Sequence, residues 1–155
     1  MKKYELTGET INVFGKTLHR IRATRDFSNV HAGDLGGFIE DERNLSHDEN
    51  AWVGGNARVS GNAWVGGNAW VGGNALVKGP RDIYWISCIG SRNGTTTFFR
   101  NADNGISVAC GCFYGTIDEF AAAVTKTHGD NEHARAYRHA IEIAKLRIEL
   151  EVAKS

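Results

Sequence analysis

Cys110 and Cys112 stand upstream of His128, Asp130 and His133, and thiolate, imidazole and carboxylate are the groups that hold zinc. Their spacing follows no zinc-binding pattern. Two cysteines two positions apart on a strand share a face, where they read better as small buried hydrophobes. A thiolate nucleophile would need His128 or His133 beside it as a base. The same His128 and Asp130 also suit a helix end and the start of the next helix, because imidazole is favoured near a C-terminus and carboxylate near an N-terminus. These residues require no metal and no cofactor.

A second constellation is suited to binding an anion. The loop Gly90-Ser91-Arg92-Asn93-Gly94 places an arginine among small donors, an arrangement that fits a phosphate or carboxylate. Backbone amides at a helix start near Asn131 would face the same anion if loop and helix meet. The expected ligand-binding set is Ser91, Arg92, Asn93, His128, Asp130 and Asn131, although an ordinary hairpin turn carrying a solvated arginine explains the loop equally well. The glycine-rich stretch Ala32-Gly33-Asp34-Leu35-Gly36-Gly37 lacks the Lys-Ser/Thr ending and the following helix of a phosphate loop.

The elements that would position these groups follow from pattern. Ile83 to Ile89, Thr95 to Arg100 and Ile106 to Cys110 are rich in β-branched and aromatic residues and are separated by Gly/Asn loops, so three antiparallel strands are expected. Thr116, with Asp118 and Glu119 after it, predicts an N-cap for a helix to about His128. A second helix is expected from about Glu132 to Ala153, with Ala134, Tyr137, Ile141, Ala144, Ile148 and Val152 on one stripe, widened by Ala136, Ala140, Ile143 and Leu150. At about 1.5 Å per residue it would reach about 33 Å, longer than three strands cover, so its far end is expected to meet another subunit.

The middle of the chain is a repeat. Asn44, Asn50, Asn56, Asn62, Asn68 and Asn74 recur every six residues, followed by Ala51, Ala57, Ala63, Ala69 and Ala75 and by Val53, Val59, Val65, Val71 and Val77. A helix of 3.6 residues per turn would smear this period, and each glycine would cost it roughly 1 kcal/mol. Extended pieces with Gly-Asn corners fit instead. If residues eighteen apart stack, Trp52 lies over Trp70, Arg58 over Leu76 and Trp64 over Ser46, all pointing outward while Val and Ala point in. Only Arg58 and Lys78 are charged between Asn50 and Gly79. Outward indoles on so apolar a surface mark Trp52, Trp64 and Trp70 as an oligomer interface.

The unit Asn-Ala-x-Val-x-Gly resembles the hexapeptide-repeat, left-handed parallel β-helix family over about Asn44 to Gly79, two coils of three units. The resemblance implies a short left-handed parallel β-helix at 44–80; the extended runs Tyr4–Leu6, Ile11–Phe14 and Thr17–Ala23, broken at Gly8 and Gly15, predict an N-terminal β cap at 1–43, and the pattern after Pro80 an α+β C-terminal domain at 81–155, so the fold expected is mainly β. The resemblance also implies a homotrimer. The segment Arg25 to Ile39 is similar to that of phage and prophage-borne members, often labelled acyltransferases without demonstrated activity.

Composition bounds the function. The 155 residues carry 18 Lys+Arg against 18 Asp+Glu, which argues against general nucleic-acid binding. The cluster Lys16, His19, Arg20, Arg22 and Arg25 is followed by Asp26 and by Glu40, Asp41 and Glu42, as on a solvated strand face. No stretch is long and apolar enough for a membrane span, and the first residues lack a secretory core, so a cytoplasmic location is expected, the host cytoplasm if the gene is a phage's. Three cysteines do not suggest a disulfide framework.

Two functions are therefore expected. The first is a non-catalytic, oligomeric phage accessory protein that inhibits a host defence by binding a host protein or sequestering a small anionic ligand. The alternative is a coenzyme A-dependent acyltransferase, as in hexapeptide-repeat acetyltransferases, with His31 or His47 as base. Two coils without a protruding loop give a short groove for that cofactor.

Overall fold

A computed structural model describes residues 2–111, 113–148 and 150. The chain divides into two compact units, Met1–Pro80 and Arg81–Ser155, each of which is described separately. Among the described residues no helix is long and apolar enough to cross a membrane.

The first unit begins with a hairpin, β1 (Tyr4–Val13) against β2 (Lys16–Ala23). Phe14 and Gly15 both have positive φ, the geometry that matches the twist of a two-residue hairpin loop. Gly8 was expected to break the first strand. Instead the register shifts between Leu6 and Thr10, so Gly8 sits in a bulge of a continuous ten-residue strand. β3 (Leu35–Ile39) pairs antiparallel with β2. Its Gly36 and Gly37 are buried, and an added Cβ at Gly36 would lie 2.6 Å from Val53 O and 2.7 Å from the Trp52 ring. The glycine-rich stretch is thus a strand that other backbone approaches closely.

The repeat forms two-residue strands: β4 (Trp52–Val53), β5 (Arg58–Val59), β6 (Trp70–Val71) and β7 (Leu76–Val77). Residues eighteen apart pair in parallel, Trp52 with Trp70 and Arg58 with Leu76, and Gly55, Gly61, Gly67 and Gly73 turn the corners at positive φ. The repeat valines and alanines are buried.

These short rungs do not make the left-handed parallel β-helix, with its separate N-terminal cap, that the sequence predicts. β3, β5 and β7 continue the β1–β2 hairpin as one five-stranded mixed sheet in the order β1-β2-β3-β5-β7, and β4–β6 is a separate two-stranded sheet. Apart from this two-stranded parallel ladder, the sheets of the described residues are small and antiparallel or mixed. The cause is strand length: two-residue rungs offer few hydrogen bonds, whereas the hairpin strands present long edges, and β2 supplies the partner that β3 needs on its other side.

The third row departs further. Leu45 bridges Val65 and Phe38 pairs with Arg58, both twenty positions apart, so Trp64 is not stacked on Ser46. Two residues are inserted between Leu45 and Val53, and Leu45 takes the valine place opposite Val65, although His47 is the residue six positions before Val53. His47 instead stacks on Tyr4 with centroids 4.0 Å apart.

Lys3 fastens the start of β1 beneath this row. It is fully buried, and its ammonium donates to Ala51 O at 2.5 Å and Asp48 O at 3.3 Å, 4.9 Å over the Phe27 ring. Burial, helped by Arg25, pulls its pKa from 10.5 to about 8. The folded value lies below the unfolded one, so between those pH values the unfolded chain holds the extra proton and Lys3 adds stability as pH rises. Above pH 10 Tyr4 acts oppositely, because burial and then Glu42 raise its pKa. The melting-temperature gap between wild type and Lys3→Met is expected to move in favour of wild type from about pH 7.5 to about pH 10. Equal gaps at both pH values would contradict the assignment.

The second unit is a meander with helices on one face. β8 (Ile83–Ile89), β9 (Gly94–Arg100), β10 (Ile106–Cys110) and β11 (Phe113–Thr116) form an antiparallel sheet in the order β11-β10-β9-β8. The fourth strand was not expected, because Phe113-Tyr114-Gly115-Thr116 is too short to show a pattern. α1 (Ile117–His128) starts on Thr116, whose hydroxyl accepts from Glu119 N–H while the Glu119 carboxylate accepts from Thr116 N–H.

α2 (Glu132–Arg147) starts on the Asn131 side chain. It ends with sixteen residues, about 24 Å at 1.5 Å per residue, so the length argument for a neighbouring subunit at its far end no longer holds. Val152 and Ala153, on which the longer helix was drawn, lie outside the described residues. Ala134, Tyr137, Ala140, Ile141 and Ala144 face a core of Ile89, Phe98, Ile106, Val108, Phe120 and Val124.

Candidate functional site

Residues far apart in sequence meet where α1, α2 and β10 join. Cys110, at the end of β10, is half-buried. The Thr96 hydroxyl donates to its Sγ at 3.2 Å, and the Tyr137 hydroxyl lies 3.7 Å on the other side. Burial first, then the Cys110 contact, pushes the Tyr137 hydroxyl up to about 12, so it stays protonated at neutral pH.

Aromatic rings wall the site. Phe120 stands at 89° to the Tyr137 ring with centroids 5.3 Å apart, and Phe113 is 5.3 Å from Phe120. His128, in the last turn of α1, lies nearly parallel to Tyr137 at 5.9 Å and is 5.4 Å from His133. Between them is a cleft of about 210 Å³ lined by Cys110, Phe113, Phe120, Ala123, Val124, Thr127, His128 and Tyr137.

The predicted loop reaches this site by a different route from the one expected. Gly90, at φ +82, is positioned so that a Cβ would fall on the Tyr137 hydroxyl, with the ring carbon Cζ at 2.8 Å. The root of the loop therefore packs on Tyr137, six residues beyond Asn131. Ser91, Arg92 and Asn93 are exposed in the turn, which the Asn93 N–H closes onto Gly90 O at 3.1 Å.

Asp130 and Asn131 hold the helix hairpin together. The Asn131 side chain accepts from Ala134 N–H at 3.0 Å. Arg138 donates to the Asp130 carboxylate at 2.7 Å and to Gly129 O at 2.7 Å. Of the predicted set, only His128 lines the cleft. Tyr137 and Phe120 also line it, with Thr96 behind Cys110; the sequence placed Tyr137 only on an apolar stripe, since nothing local marks such a tyrosine as facing a cysteine.

Cys110 directs its hydrogen bonds to Thr96 and Tyr137, and His128 packs on rings. Cys112 lies outside the described residues. Among the described residues no three His, Cys, Asp or Glu side chains converge. His47, a candidate acyl-transfer base, has both ring nitrogens engaged: Nδ1 accepts from Lys3 N–H at 3.1 Å, which leaves Nε2 to donate to Glu42 at 2.8 Å. That bond holds the Glu42 carboxyl below its usual range. His31 is exposed on a loop whose backbone N–H donates to Asp34.

The tryptophans differ from one another. Trp52 is buried under Phe27 of the same chain, edge to face at 5.3 Å, so it does not present the outward surface expected of it. Trp70 is partly buried and Trp64 half-exposed.

A larger cavity of about 690 Å³ opens near Asn101, Thr116, Ile117, Lys145 and Ile148. Two of its polar groups already have internal partners. The Asn101 amide donates to Ser107 and accepts from Asp103 and Gly105 N–H, and Thr116 caps α1.

No protein-family model matches the chain, and no curated protein matches it.

Proposed function

We propose that the protein is a non-catalytic binding protein that holds a small ligand in the cleft between α1, α2 and β10. The observation that carries this reading is the cleft itself, whose walls combine the aromatic rings of Phe113 and Phe120 with the polar side chains of Tyr137, Thr127, His128 and Cys110, the usual composition of a ligand site. The hydrogen bonds of Cys110 to Thr96 and Tyr137 favour a holding role over a nucleophilic one. Arg92, with Ser91 and Asn93, extends from the turn rooted on Tyr137 and supplies a positive charge for an anionic substituent. In the phage setting suggested by the segment leading into the repeat, the protein sequesters this ligand, or blocks a host protein, in the host cytoplasm. It does so as an oligomer, a trimer by resemblance, with Trp64 as the exposed indole of the interface.

The test is recovery of ligand from cell lysate by native mass spectrometry. Wild type is expected to retain a small molecule. Ala123→Phe, which fills the cleft from a half-buried position, is expected to release it without a change in melting temperature. Arg92→Ala is expected to weaken retention about tenfold if its charge pairs with the ligand. Unchanged retention in Ala123→Phe would overturn the site. Light scattering is expected to return three times the 16.9 kDa chain mass, and a single-chain mass would overturn the oligomer.

A further inference from the structure

α2 carries a second apolar stripe that the core of its own unit does not use. We infer that this stripe is a contact between copies of the chain, α2 lying parallel against the α2 of a neighbouring copy. The inference rests on the oligomer proposed above and names a surface for it.

The first argument is spacing. Ala134, Tyr137, Ala140, Ile141 and Ala144 of α2 are buried in the core. Ala136, His139, Ile143 and Leu146 are all exposed and follow one another at three, four and three positions. That alternation is the 3.5-residue period along which two helices interlock side chains, and residues three and four apart on a helix are surface neighbours. Ile143 is 40 % and Leu146 77 % exposed, so the stripe holds two large aliphatic side chains that a like stripe would remove from water. The sixteen residues of α2 span about two heptads.

The second argument is charge, and it selects the partner. In a parallel pair of helices the residue just before one seam position faces, on the other helix, the residue just after the next seam position. Here these are Glu142, before Ile143, and Arg147, after Leu146. Both are exposed, and neither has an ion-pair partner among the described residues, whereas Arg135 and Arg138 are engaged at Asp130. A parallel neighbour closes Glu142 on Arg147. An antiparallel neighbour would set Glu142 against Glu142. Helices that meet along a three-fold axis run parallel, so the charge pattern and the proposed trimer require the same orientation. A membrane surface is a poorer fit, because a helix lying on one is rich in Lys and Arg beside its apolar face, and here the acidic Glu142 borders the stripe directly.

Analytical ultracentrifugation of the full chain over a range of concentrations tests the contact. Leu146→Glu is expected to raise the dissociation constant of the oligomer roughly a hundredfold, with helix content by circular dichroism unchanged because the residue is exposed in the single copy. Glu142→Arg and Arg147→Glu, each of which brings like charges together, are each expected to raise it about tenfold. Glu142→Arg combined with Arg147→Glu exchanges the two charges and is expected to restore it. An oligomer unaffected by Leu146→Glu would overturn the α2 contact while leaving the oligomer standing. A charge-exchanged double variant no tighter than the single ones would overturn the parallel pairing. A wild-type chain of single-copy mass at every concentration would instead overturn both the oligomer and this contact.

Discussion

Val65→Asp is expected to unfold the first unit. Val65 is fully buried, its N–H donates to Asn44 O and its carbonyl accepts from Ser46 N–H at 2.9 Å each, and it bridges Leu45 across the row. An aspartate there would place an unpaired carboxylate among Leu45 and the repeat valines and alanines, at an expected cost of about 3–5 kcal/mol. That is comparable with the whole stability of many domains, about 5–15 kcal/mol. Val65→Ala, which leaves only a cavity, is expected to cost about 2 kcal/mol. Circular dichroism with urea unfolding should show the first unit's transition lost in the aspartate variant and shifted in the alanine variant. A Val65→Asp melting temperature within a few degrees of wild type would refute the inward placement of this valine.

Gly90→Ala should be the most damaging small substitution in the second unit. The backbone there has φ +82, a region in which an L side chain is strained by about 1–3 kcal/mol, and the new methyl would also collide with the Tyr137 hydroxyl. Either the β8–β9 turn or Tyr137 has to move. A loss of roughly 2–3 kcal/mol is expected from urea unfolding, together with loss of retained ligand. Removing the hydroxyl relieves part of the collision, so Gly90→Ala combined with Tyr137→Phe should be less destabilised than the sum of the two single changes. Strict additivity would mean that the contact contributes nothing.

Both predictions depend on contacts between segments distant in sequence, and this is where the sequence was weakest as a guide. The inward Val and Ala positions of the repeat were legible because burial selects small and branched side chains at fixed intervals. Thr116 was legible as a cap because a cap is a bond between residues three apart, whereas Asp130 was expected at the start of the second helix and the cap is its neighbour Asn131. Trp52 was misread as outward, because its cover, Phe27, comes from a loop twenty-five residues earlier. The insertion before Val53 was hidden because the asparagine spacing runs through it unbroken, and only the pairing of Leu45 with Val65 reveals the shift.

The sequence alone determined the local alphabet of this protein: extended segments with glycine corners, a boundary at Pro80, and two capped helices with apolar stripes, each written by interactions within a few residues. The tertiary structure decided how those pieces combine. The long β1–β2 edge drew the short repeat strands into a mixed sheet and set aside the left-handed parallel β-helix. The fold of β10 under α2 brought Cys110 and Tyr137, twenty-seven residues apart, to either side of one hydrogen bond. Strand pairing and cleft formation are settled by which distant edges and faces can satisfy each other, and a single sequence does not record that choice.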